Sequence, residues 1–112
     1  MSGRYDLKAG GAGLLKLISH SIQNIPSSYR LGIEGHTDDV PIHMPGISDN
    51  WELSAKRAHS VLLSLELGER LKRRAVVMGF GEMEPLVPNR DEKGESISAN
   101  QARNRRVTLR VF

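Results

Sequence analysis

The sequence predicts an α/β fold, a two-layer sandwich with helices on one face of a mixed sheet, in a single domain spanning residues 1–112. Three observations predict it: an amphipathic stripe near the start, a long capped helix in the middle, and a strictly alternating strand at the end. The element order helix, strand, helix, strand, short helix, strand sets the helices on one side of the sheet.

From Ala12 to Ile25, the apolar residues Leu15, Ile18, Ile22 and Ile25 recur at helical spacing, the stripe of a helix that packs on one side. Pro26, Ser27 and Ser28 end it. Arg30 to Thr37 reads as a strand, with Leu31 and Ile33 on one face and Gly32, Glu34 and His36 on the other. The Asp38-Asp39 pair and Pro41 stop that strand. His43 to Ser48, holding Pro45 and Gly46, is a surface loop. Ser48, Asp49 and Asn50 are candidate N-caps of a helix from about Asn50 to Leu67, and Glu52 suits its first turn. Its core face is Ala55, Ala58, Leu62 and Leu65, with Val61 beside them, and Gly68 suits a left-handed C-terminal cap.

After a basic turn, Ala75 to Met78 and Phe80 make an apolar strand closed by Gly79 and Gly81. Pro85, Pro88 and Asn89 mark turns, and a short helix is expected over Ser96 to Arg103. Val107, Leu109 and Val111 alternate with Arg106, Thr108 and Arg110, the pattern of a half-buried strand.

With 38% apolar and 26% charged residues, the chain has the make-up of a folded globular domain and not of a disordered one. The net charge is only +3, but the cations cluster at Arg70, Lys72, Arg73 and Arg74 and again at Arg103, Arg105, Arg106 and Arg110, so nucleic acid has to be weighed. The absence of cysteine removes disulfides and thiolate metal sites and leaves the compartment open. No apolar run approaches the length of a membrane span. Met1-Ser2-Gly3 reads as a cloning remnant, which makes an export signal or anchor upstream an open possibility.

The chemistry concentrates in GHTDDVPI (Gly35 to Ile42) and NWELSAKRA (Asn50 to Ala58), an acidic strand end beside a polar helix start. Asp38 sits at the strand end, with Arg57 nineteen positions later. Asn50, Ser54 and Arg57 share a helical stripe distinct from the core stripe. A carboxylate and a guanidinium held together there, beside the N–H groups of a helix start, would complement a small group bearing both an ammonium and a carboxylate. The plain alternative, favoured by spacing alone, is that Asp38 caps the loop and Arg57 is solvated or pairs with it.

His36, Asp38, Asp39 and His43 could be drawn as a metal site, but their spacing fits no ligand pattern. A hydrolase built on Asp38 and Asp39 fails because adjacent strand residues point to opposite faces. The run ARNRRVTLR (Ala102 to Arg110) could grip phosphates. With only 4% aromatic residues there is no stacking platform, and a basic strand face beside acidic neighbours such as Glu34 is preferred. Trp51 is expected to be partly buried against the loop after Pro45.

Four blocks in order, EGHTDDVPI (Glu34 to Ile42), NWELSAKRA (Asn50 to Ala58), GFGEMEP (Gly79 to Pro85) and ARNRRV (Ala102 to Val107), together resemble the OmpA-like peptidoglycan-binding domain. TDDVPI, the longer loop after it and NWELSAKRA look most like the flagellar stator members of that family. The resemblance implies non-covalent, non-enzymatic binding of peptidoglycan through the diaminopimelate of the stem peptide, with no cofactor and no metal. By position, Asp38 would take the ligand ammonium and Arg57 its carboxylate, while Thr37, Asn50 and Leu53 shape the pocket. Arg105 and Arg106 match a family signature and are assigned mainly to holding the last strand and the edge of the site.

The resemblance further implies a periplasmic domain of an inner-membrane protein, a homodimer, and a membrane stator partner reached through an N-terminal region. The alternatives are another envelope anchor outside the flagellum and, behind it, a nucleic-acid-binding module. One departure stands out: where the family has a strand leading into the first helix, only Arg4-Tyr5-Asp6 are left for it, and that edge of the sheet would be open or completed by a second copy.

Overall fold

Four strands form the sheet in the computed structural model, which describes residues 3–7 and 22–112: β1 (Gly3–Leu7), β2 (Leu31–His36), β3 (Ala75–Gly79) and β4 (Arg106–Val111). They lie in the order β1-β4-β2-β3. β2 and β3 run parallel, whereas β4 is antiparallel to both β2 and β1, so the sheet is mixed. The helices among the described residues are α1 (Asn50–Ser64), α2 (Glu69–Lys72) and α3 (Ser98–Asn104).

The two-residue period of a strand sorts the side chains. Leu31, Ile33 and Gly35 of β2 stand opposite Val111, Leu109 and Val107 of β4 and opposite Ala75, Val77 and Gly79 of β3. This face meets Ala58 and Leu65 of the α1 region and Leu71 of α2, and Leu31, Ile33 and Leu109 have no exposed surface. Burial of that kind contributes roughly 1.5–3 kcal/mol per large aliphatic side chain.

The depth at which α1 packs is set by two glycines side by side on neighbouring strands. A Cβ at Gly35 would lie 1.8 Å from the Ser54 carbonyl oxygen, and one at Gly79 would lie 2.8 Å from the Ala55 Cβ. The first turns of α1 therefore rest directly on sheet backbone, with Leu53, Ser54 and Ala58 buried below. Asp49 is the N-cap among the three candidates, its Oδ1 accepting from Glu52 N at 2.9 Å.

Several expectations are revised. The helix predicted over Ala12 to Ile25 lies outside the described residues except at its end, where Ile22 and Ile25 are buried in the core. The first strand is longer than Arg4 to Asp6: β1 pairs residue for residue with β4, from Gly3 opposite Val111 to Leu7 opposite Val107. Backbone pairing does not require a distinctive side-chain pattern on an edge strand, so periodicity gave no sign of it. The long helix ends at Ser64 with Leu65 as its C-cap. Gly68, at φ −69°, instead starts α2, the four-residue helix that replaces the expected basic turn.

β4 is not half-buried. Arg106 and Thr108 are covered as fully as Val107, and Arg110 is the exposed residue of the strand. Across the sheet Glu34 stands opposite Thr108 and His36 opposite Arg106, so the face away from α1 carries a buried polar layer. Asn104, at the end of α3 and without exposed surface, fixes the loop before it. Its Oδ1 accepts from Leu86 N and Val87 N at 2.8 and 3.2 Å, and its Nδ2 donates to Val87 O and to Asn89 Oδ1, both at 2.8 Å.

Two stability predictions follow from these contacts. Gly35→Ala is expected to cost at least the ~1–3 kcal/mol of core overpacking, because the obstructing atoms are backbone. Gly68→Ala, with nothing nearer than 3.7 Å, should stay within about 0.5 kcal/mol of the parent. Urea denaturation of the two variants measures the contrast, and equal midpoints would refute the close-approach argument. Asn104→Ala should lose about 1–3 kcal/mol by stranding buried backbone groups. Amide exchange at Leu86 and Val87 should accelerate together with that loss.

Candidate ligand site at the carboxyl end of the second strand

β2 and β3 end side by side beneath the start of α1. Beyond β2 the chain continues through Thr37, whose N donates to Gly81 O at 2.8 Å and whose Oγ1 donates to Asp38 O at 2.8 Å. The backbone of Gly81, at φ +59°, is left-handed, a conformation that favours glycine. Gly81 N in turn donates to Ser54 Oγ at 2.9 Å, and that hydroxyl donates to Trp51 O at 2.8 Å. One buried serine thus ties α1 to the turn after β3.

Asp38 is 7% exposed and its two carboxylate oxygens have different partners. Oδ1 accepts from Val40 N at 3.0 Å, closing a tight turn on its own loop, and Oδ2 accepts from Arg105 Nη1 at 2.6 Å. Its carbonyl oxygen accepts from Asn50 Nδ2 at 3.4 Å, and the same amide nitrogen donates to Val40 O at 3.1 Å. Asn50 therefore seats the Asp38 loop on the first residue of α1. The carboxylate is held from two directions, by its own turn and by the residue preceding β4, while α1 holds the main chain of the same residue.

Of the six residues expected at the site, Asp38, Thr37, Asn50, Leu53 and Arg105 gather at or beside this corner. Thr37, Asn50 and Leu53 are buried. Arg57 is different. It is exposed and, among the described residues, makes no hydrogen bond or ion pair; it does not pair with Asp38, which Arg105 holds instead. Seven residues after Asn50 on the same helical stripe, its Cα lies about 10 Å further along the axis. Long helical side chains lean toward the helix N-terminus, here toward the Asp38 corner.

Asp39, assigned from sequence only as a loop residue, has a structural role. Its Oδ2 accepts from Arg90 Nε at 2.7 Å and its Oδ1 from Gln101 Nε2 at 3.1 Å. It joins the strand end to α3 and to the loop before α3, over sequence separations of 51 and 62 that no local pattern reveals. Ser54, expected on the stripe with Asn50 and Arg57, acts as a support of the corner, whereas Asn104 was missed, although it lies inside the quoted block ARNRRV.

His36 stacks on Phe80 at 5.1 Å between ring centroids, with its Nε2 3.5 Å from Glu34 Oε1. No group of three or more His, Cys, Asp or Glu residues among the described residues is placed to hold a metal ion. Trp51, expected against the loop after Pro45, sits beside Gly81 and is 49% exposed. The basic run before the C-terminus is divided among separate partners: Arg105 on Asp38, Arg106 on the Asn104 and Glu84 carbonyls, and Arg110 on Glu34. No helix among the described residues is long and apolar enough to cross a membrane.

Comparison with known proteins places these features in a lineage. Motility protein B of Bacillus subtilis is 30% identical over 99% of this chain, which spans 40% of that protein. The crystal structure of the periplasmic domain of Helicobacter pylori MotB superimposes with a TM-score of 0.76 at 20% identity, covering 98% of this chain and 81% of the other. The peptidoglycan-associated lipoprotein of Burkholderia pseudomallei gives a TM-score of 0.67 at 24% identity, covering 99% and 89%. At those identities the two structures speak for the fold. The OmpA family profile matches residues 1–104 of the 112, across the strand end, the start of α1 and the turn after β3, and the chain belongs to the OmpA family.

Proposed function

We propose that this domain binds peptidoglycan without performing chemistry on it, gripping the diaminopimelate of the stem peptide between Asp38 and Arg57. The observation that carries the proposal is a carboxylate fixed at a strand end, with an exposed guanidinium, without a partner among the described residues, on the same helix that seats it. A buried, pre-positioned carboxylate offers a ligand ammonium an acceptor that needs no reorganisation, and an exposed arginine can engage a carboxylate bidentately. Family membership and the likeness to a peptidoglycan-associated lipoprotein support the same ligand.

Arg105 is a positioning residue in this reading. Its side chain is 45% exposed, and its guanidinium holds Asp38 Oδ2. A ligand ammonium would share that oxygen with it or displace it toward solvent. Oδ1 stays committed to Val40 N, so the loop keeps its shape when Oδ2 changes partner.

We further infer that the domain works in the periplasm as a homodimer, as the wall-holding part of a longer membrane-anchored protein of the motility type. Support comes from the likeness to Motility protein B over the whole chain. Light scattering on the domain should then give a mass near twice 12.4 kDa. A monomer mass throughout a micromolar to millimolar series would remove the dimer from the proposal.

The site itself is tested by titrating a diaminopimelate-containing muropeptide into the parent, Asp38→Asn and Arg57→Ala. Asp38→Asn keeps an acceptor for Val40 N and removes only the charge. Each variant should lose a charge-assisted contact of roughly 1.5–3 kcal/mol, at least a tenfold weakening, and Arg57→Ala should melt within about 0.5 kcal/mol of the parent. Unchanged affinity in both variants would eliminate the clamp.

A further inference from the structure

On the face of the sheet away from α1 lies an open cavity of about 240 Å³, walled by the layer that buries Glu34 and His36. Three of its lining side chains carry ionisable groups at 2–5% exposure, Glu34, His36 and Arg106. Burying such groups on a sheet face is costly when an apolar layer would pack there equally well, and the Coulombic gain seldom exceeds the desolvation penalty. A ligand-binding role gives the arrangement a purpose that stability does not.

The lining states what kind of ligand fits. Apart from His36, two carboxylate residues, Glu34 and Glu84, face two guanidinium residues, Arg106 and Arg110. The balance of charge disfavours an ion of either sign, while the mixture of acceptors and donors suits hydroxyl groups, which both donate and accept. Phe80, Pro85 and Leu86 add an apolar wall on which the C–H face of a saturated ring can rest. The volume falls below the ~300–1,000 Å³ typical of drug-sized ligands, which limits the occupant to a small one.

Glu34 supplies a specific point of attachment. Its Oε1 lies 3.5 Å from His36 Nε2 and its Oε2 3.1 Å from Arg110 Nε, yet Oε2 receives no aligned hydrogen bond from the described residues. Held by an ion pair and not by an aligned hydrogen bond, this buried oxygen keeps the capacity to accept one. Arg110, whose side chain is 47% exposed, has room to swing off Glu34 and let a ligand hydroxyl reach that oxygen.

We propose that this cavity is a second binding site, for one neutral pyranose ring of a sugar, on the sheet face opposite the Asp38 corner. It does not depend on the peptidoglycan reading.

The experiment is an NMR titration of the amide resonances with three single-ring probes: neutral N-acetylglucosamine, cationic glucosamine and anionic glucuronate. Saturable shifts with N-acetylglucosamine should map to residues 34–36, 80–86 and 106–110, at millimolar affinity and at least fivefold tighter than for either charged probe. Arg110→Gln and Glu84→Gln, both changes at exposed residues, should weaken those shifts at least fivefold, while Asp38→Asn should leave them unchanged. Loss of the shifts in Asp38→Asn, shifts confined to the Asp38 corner, or no saturable shift at tens of millimolar sugar would each overturn the second site. Failure of the muropeptide titration alone would not touch it.

Discussion

The contact on which the rest of the structure depends is the meeting of α1 with bare backbone at Gly35 and Gly79. Two glycines in register on parallel strands leave a shallow trough at the carboxyl end of the sheet, and Ser54 and Ala55 fill it. Any side chain at either position would lift the helix start away from the strand ends. Asn50 reaches the Asp38 loop, and Ser54 reaches Gly81 N at 2.9 Å, only because the helix lies that low. The Asp38 corner is a consequence of sheet packing before it is a matter of charged residues.

From that contact the corner is assembled by side chains that serve backbone groups. Thr37, Asn50, Ser54 and Asn104 all bond to main-chain atoms of loops. Buried loop backbone without such partners would carry a desolvation cost of about 1–3 kcal/mol per group. Asp39 adds a second tie through Arg90 and Gln101. The result holds Asp38 in place before any ligand arrives, so binding does not have to order it. Arg57 remains the one ionisable member of the predicted set with its conformational freedom unspent.

Periodicity of residue type carried most of the fold, since apolar and polar residues alternate along β2 and β4 and apolar residues recur at helical spacing along α1. The gaps have physical causes. β1 is an edge strand defined by backbone pairing, and α2 is one turn whose basic residues read as a loop. The double-sided burial of β4 was hidden because Arg106 and Thr108 look like surface residues until Glu34, His36 and the Glu84–Leu86 loop cover them. At the site, Asp38 and Asn50 were legible because strand end and helix start are neighbours in any such sandwich. The pairing of Asp38 with Arg105 joins residues 67 apart, and spacing offered Arg57 as the partner instead.

That pairing bears on how a clamp of this kind stays selective. A carboxylate left bare at a strand end would attract any cation, including the lysines of unrelated proteins. With Arg105 already 2.6 Å away, a monovalent cation gains only by displacing an equally good partner, and the exchange is close to neutral. A zwitterion would have a further gain, because its carboxylate could meet Arg57, whose side chain has no ion-pair partner among the described residues. Discrimination then resides in the difference between one contact exchanged and a second contact added. In the proposed clamp Arg105 would thereby make binding depend on both ends of the ligand, and it would do so from the residue that leads into β4, where the sheet fixes its backbone.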